Sequence, residues 1–150
     1  NGQKFQAHRP VDILLVEDSH EDAELTRLAL KDGKFANELF VVKDGVEAME
    51  YLKKTGRYSG AKMPGLILLD LNLPKKSGFE VLAEIKADEE LKVIPVAILT
   101  TSESEADVLR TYKLYANCYI TKPVDLGQFM KVVKSVEEFW FSIVELPKRG

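Results

Sequence analysis

The stretch LILLDLNLPKKSG, residues 66–78, runs four apolar residues straight into an acid, Asp70. Other reactive residues stand in the same relation to apolar runs. Glu17 and Asp18 follow VDILLV, Thr100 closes IPVAILT with Thr101 next to it, and Lys122 follows NCYIT. If these runs are parallel strands, the residues just past their carboxyl ends converge on one sheet edge, where open α/β sheets bind ligands. Crowded carboxylates repel, and each raises its neighbours' pKa unless a cation joins them. A hard divalent ion meets that demand, and Mg²⁺ fits because it takes few protein carboxylates and keeps several waters. In this reading Asp18 and Asp70 are direct ligands, Glu17 acts through a bound water, and the backbone carbonyl of Asn72 adds a third protein oxygen. An aspartate so placed can attack phosphorus, since carboxylates are the nucleophiles of aspartyl-phosphate chemistry. Lys122 and the metal would balance charge on the transferring group, and the Thr100 hydroxyl would bond one of its oxygens.

The elements that must position these groups follow from hydrophobic patterning. VDILLV reads as a buried strand. EDSHEDAELTRLALKDG reads as an amphipathic helix, with an N-cap at Asp18 or Ser19 and a stop at Gly33. ELFVVKDG and GVEAMEYLKKTG give a second strand and helix, and RYSGAKMPG a loop. LILLD is a strand and GFEVLAEIKAD a helix with Phe79, Leu82 and Ile85 on one face. IPVAILT, SEADVLRTYKLY, NCYIT and DLGQFMKVVKSVEEFWFSI continue as strand, helix, strand and long final helix. Strict alternation argues for a parallel sheet with helices on both faces. With right-handed crossovers, the expected fold is a doubly wound, five-stranded, flavodoxin-like three-layer sandwich.

The totals agree with one soluble domain. The chain has 150 residues, 45% hydrophobic and 30% charged, which suits a single sizeable core. A net charge of −3 offers no basic field for nucleic acid. The single cysteine, Cys118, permits no intrachain disulfide and points to a reducing, cytoplasmic compartment; it reads as a small buried hydrophobe. No apolar run has the length of a membrane span, and no signal-peptide pattern opens the chain. His8 and His20 have no partners at metal-ligand spacing, and Lys75 and Lys76 read as a solvated turn.

Taken together, LLVEDS, LLDLNLPKKSG, ILTTS and YITKP resemble the receiver domains of two-component response regulators. The resemblance covers roughly residues 11–140, and the spacing of Asp70, Thr100 and Lys122 looks like the family's. It implies that Asp70 takes phosphate from a histidine kinase. It also implies that Thr100 and Tyr119 form a coupled switch pair, and that the Lys122–Pro123 bond is cis. Asn72 and Ser102 would flank the acyl phosphate and tune its lifetime. The acidic pair is Glu-Asp where many members have Asp-Asp, and the segment TGRYSGAKMPG is longer than usual. The tail EEFWFSIVELP, with NCYITKP and LDLNLPKKSG, looks like the receiver-only regulators paired with phytochrome histidine kinases. The expected organisation is a loosely packed segment over 1–10, a receiver domain over 11–141 and an extension over 142–150, with no output domain attached.

The tail crowds Phe139, Trp140, Phe141, Ile143, Val144 and Leu146 into a short span rimmed by charge. One helical stripe cannot bury all of them, so the tail suggests a homodimer using the last helix, the fifth strand and this extension, with Phe139, Trp140 and Phe141 as interface candidates. Two rival functions remain. An aspartyl-nucleophile phosphohydrolase would need a general acid at position 72, where Asn72 cannot serve. A phosphorelay intermediate would hand the phosphate on to a further histidine protein. Nucleotide binding fares worse, because VEDSHED after the first strand is acidic and lacks a glycine-rich phosphate loop.

Overall fold

The apolar runs form five strands: β1 Val11–Val16, β2 Ala36–Val42, β3 Leu66–Asp70, β4 Val96–Thr100 and β5 Cys118–Thr121. The computed structural model describes residues 11–31, 36–101, 118–132 and 134. Within them lie α1 His20–Lys31, α2 Gly45–Leu52 and α3 Gly78–Ala87, and a helical segment over 126–132. The segment 1–10, Gly33, Ser102, the helix expected between β4 and β5, and the tail with Phe139, Trp140 and Phe141 lie outside the described residues.

All neighbouring strands pair in parallel, in the order β2-β1-β3-β4-β5. This is the doubly wound, flavodoxin-like order, and the chain's direction of winding reverses between β1 and β3. Every residue of β3 and β4 is buried, as strands covered on both faces must be. Alternation along the strands divides the core into two layers. Leu14, Val16, Ile67, Leu69 and Ile98 pack with Met49 and Leu52 of α2 and Leu82 and Ile85 of α3. Ile13, Leu15, Leu68, Leu99 and Ile120 pack with Ala23 and Leu30 of α1 and with Phe129.

Local signals set the helix starts. The Ser19 hydroxyl accepts from the Asp22 N–H at 3.1 Å at the head of α1. Asp44 caps α2 by accepting from the Glu47 N–H at 2.8 Å. Ser77 and Glu80 form a reciprocal capping box on α3. The expected loop after α2 contains a 3-10 turn, Gly56–Tyr58. Glu47 binds the Tyr58 hydroxyl and the Arg57 guanidinium, which fastens that turn to α2.

Candidate functional site

Alternation also decides which side of the sheet each group at its carboxyl edge faces. Leu66 and Leu68 pack in the α1 layer and carry Asp70 to that side; Ile13 and Leu15 carry Glu17 there, and Ile120 carries Lys122. Ile98 packs in the α2–α3 layer and carries Thr100 to the other side. Tyr119 pairs in register with Ile98 and shares that side.

The loops continue the ladders past the strand ends. Glu17 N–H donates to Val42 C=O at 2.9 Å, and Lys122 N–H to Thr100 C=O at 3.0 Å. Lys122 thus arrives beside Asp70. Its ammonium donates to Asp70 Oδ2 at 2.8 Å and to Asp22 Oδ2 at 2.9 Å. It also ion-pairs with Glu17 Oε1 at 2.7 Å. The side chains of Glu17 and Asp70 are 0% and 5% exposed and that of Lys122 is 11%, so this is a desolvated cluster. Asp70 Oδ1 accepts from the Asn72 N–H at 2.9 Å, which turns the chain sharply after β3. Glu17 Oε2 accepts from the Ser19 N–H at 3.2 Å.

Close backbone packing holds the Asp70 loop. A Cβ on Gly78 would stand 2.3 Å from the Asp70 carbonyl oxygen and 2.6 Å from Leu71 Cα, so only glycine lets α3 start there. A Cβ on Gly45 would stand 2.1 Å from the Lys76 carbonyl oxygen. Lys75 has a φ of 68° and pairs with Asp44 at 3.5 Å, while Lys76 pairs with Glu84. Lys75 is exposed, as the solvated turn expected from sequence requires, whereas Lys76 is half-buried and fastened toward α3. Position 75 needs the left-handed conformation, and the carbonyl of Lys76 abuts Gly45.

Carboxylate oxygens of Glu17, Asp18 and Asp70 lie within 4.8 Å of one another. Asp18 is exposed at the rim, whereas Glu17 is buried. Glu17 Oε1 is fully buried and makes no aligned hydrogen bond, its contact with Lys122 being an ion pair alone. An all-oxygen set with one under-satisfied buried oxygen suits a hard divalent cation.

Burial pushes the Glu17 carboxyl up to about 7, and the neighbouring Asp70 adds to this against the pull of Lys122. Burial alone would lower the Lys122 ammonium, but Asp70, Glu17 and Asp22 outweigh it and hold the group above its ordinary value. At neutral pH the cluster thus keeps a fixed positive charge among acids.

The structure brings Glu17, Asp18, Asp70 and Lys122 together, and Thr100 lies buried at the end of the neighbouring strand β4, on the other side of the sheet. Asn72 is exposed beside Asp70, Tyr119 is 42% exposed on β5, and the Lys122–Pro123 bond is cis. Sequence reasoning missed Asp22. Its one visible signal is a spacing of one helical turn from Asp18. A cavity of about 340 Å³ lined by Asp12, Phe40, Tyr51 and Tyr58 opens by the start of β1, away from this cluster.

Comparison with known proteins agrees with this geometry. The family model for the response regulator receiver domain matches residues 13–134. Response regulator Rcp1 of Synechocystis sp. is 49% identical over 142 residues, spanning 95% of this chain and 97% of that one. The crystal structure of the Mn²⁺-bound form of Rcp1 matches with a TM-score of 0.73 at 50% identity, covering 87% of this chain and 94% of that one. The phosphorylated cyanobacterial phytochrome response regulator RcpA matches at 0.74 and 51% identity, covering 89% and 96%. The chain therefore belongs to the response regulator receiver family, and its three-layer sandwich is the receiver fold.

Proposed function

We propose that Asp70 is the phosphoacceptor of a phosphorylation-operated signalling switch. The observation that carries this reading is a nearly buried aspartate at the end of the central strand, bonded to Lys122 and within cation-sharing distance of Glu17 and Asp18. An Asp70 oxygen attacks the phosphorus of a phosphohistidine as its P–N bond breaks. The imidazole nitrogen leaves with the electron pair, and Asp70 becomes an acyl phosphate. Lys122 stabilises charge on the phosphoryl oxygens, and the Thr100 hydroxyl bonds one of them. Glu17, Asp18, Asp70 and the Asn72 carbonyl would hold Mg²⁺, which when bound neutralises and orients the phosphoryl group. Asn72 and Ser102 tune the lifetime of the acyl phosphate. Thr100, drawn inward, lets Tyr119 repack on its side of the sheet and alters the surface there.

The donor in this reading is a phytochrome-type sensor histidine kinase in the cytoplasm. Similarity to a phytochrome response regulator supports that choice. No helix among the described residues is long and apolar enough to cross a membrane. A homodimer through Phe139, Trp140 and Phe141 completes the proposal; sedimentation showing only monomer with and without a phosphate analogue would remove it.

The test is phosphate incorporation from phosphoramidate, with and without Mg²⁺, in the native chain and Asp70→Asn. Metal-dependent, hydroxylamine-labile label on the native chain alone is expected. Absence of label from both phosphoramidate and a phytochrome-type kinase would overturn the proposal.

A further inference from the structure

We infer that Asp22 is a positioning residue of the phosphoacceptor site, acting through Lys122 on the rate of phosphoryl transfer; this rests on the reading of Asp70 as phosphoacceptor. Three acids from three elements surround one ammonium: Glu17 after β1, Asp70 at the end of β3 and Asp22 in the first turn of α1. An ammonium has three N–H donors and no acceptor; it donates to Asp70 and Asp22 and adds an ion pair with Glu17. The partners are not equivalent. Glu17 and Asp70 belong to the group of oxygens close enough to share a cation, and Asp22 does not. When a cation or a phosphoryl group draws on Glu17 and Asp70, Asp22 keeps its hold on Lys122.

Asp22 is itself held in place. Its backbone N–H donates to the Ser19 hydroxyl, and Ala23 beside it is buried against the sheet. The contact joins α1 to the loop after β5, across 100 positions of sequence. Its effect is to keep the ammonium stretched between the sheet edge and α1. Without it, Lys122 settles onto the acids that the incoming cation and phosphoryl group need. Transfer depends steeply on such placement.

The experiment compares phosphorylation rates at saturating Mg²⁺ and phosphoramidate for native chain, Asp22→Ala, Lys122→Ala and the double variant. Asp22 is 38% exposed, so its contact is partly screened, and Asp22→Ala should slow transfer about threefold. Asp22→Asn, which keeps an acceptor, should recover most of the rate. Glu21→Gln removes an equal charge from the next exposed position of α1 and should leave the rate unchanged. In the Lys122→Ala background Asp22→Ala should have no further effect, because the two act as one unit.

Equal slowing in both backgrounds, or none in either, would overturn the inference. If Lys122→Ala labels too slowly to compare, hydrogen exchange of the ¹⁵N-labelled Lys122 ammonium decides. Faster exchange in Asp22→Ala supports the inference, and unchanged exchange overturns it. An unlabelled native chain refutes the phosphoacceptor reading and this one with it. A labelled native chain with an unchanged Asp22→Ala rate refutes only this one.

Discussion

Replacing Lys122 with methionine keeps the length of the stem and removes the charge. It leaves Glu17 and Asp70, 0% and 5% exposed, facing each other without a cation. Breaking a buried pair by removing one partner costs about 3–5 kcal/mol, because the other charge stays buried and uncompensated. That is a large share of the roughly 5–15 kcal/mol that holds a domain folded. The loss must depend on pH. The Glu17 carboxyl, pushed up to about 7 by burial, is largely neutral at pH 6 and largely charged at pH 8. Losing Lys122 raises it further. Urea unfolding in chelator should therefore show a loss of about 3–5 kcal/mol at pH 8 and about 1–2 kcal/mol at pH 6. Adding Mg²⁺ at pH 8 should return much of it by supplying the missing charge. A loss under about 1 kcal/mol at pH 8 in chelator would refute the picture of a desolvated cluster held by one ammonium.

Gly78→Ala should cost about 2 kcal/mol in thermal unfolding and slow phosphorylation, since its Cβ would force the backbone of Asp70 and Leu71 to move. Glu17 has a folded pKa raised from 4.5 to about 7, so between those values the folded state holds a proton the unfolded state has lost. Stability of the metal-free chain should fall by about 1–3 kcal/mol as pH rises through that window. Glu17→Gln should flatten this slope, as read from urea midpoints in chelator at pH 5 and 7.5.

β3 and β4 were legible because strands buried on both faces leave unbroken apolar runs, and an acid ending such a run stands out. Glu17, Asp70 and Lys122 were legible together because parallel strands bring their carboxyl ends to one edge. Asp22 was not. A first-turn acid is accounted for by the helix dipole, and only its tertiary meeting with Lys122 gives it a further part. The inward contact of Lys76 escaped for the same reason. Two lysines after a proline read as solvated surface; Lys75 is exposed, and Lys76 alone packs its backbone on Gly45 and its ammonium on Glu84. The burial of the acidic pair was not legible either: Glu17 is buried and Asp18 exposed. Alternation from Ile13 and Leu15 turns the first acid into the α1 layer, and the chain leaves the strand before the second.

The most direct test of the central claim is to locate the phosphoryl group. Borohydride reduction of the phosphorylated chain converts an aspartyl phosphate to homoserine, which peptide mass mapping can place. The account predicts homoserine at position 70 and at no other acid of the cluster. Homoserine at position 18 or 22, or phosphate surviving on a serine or threonine, would contradict it.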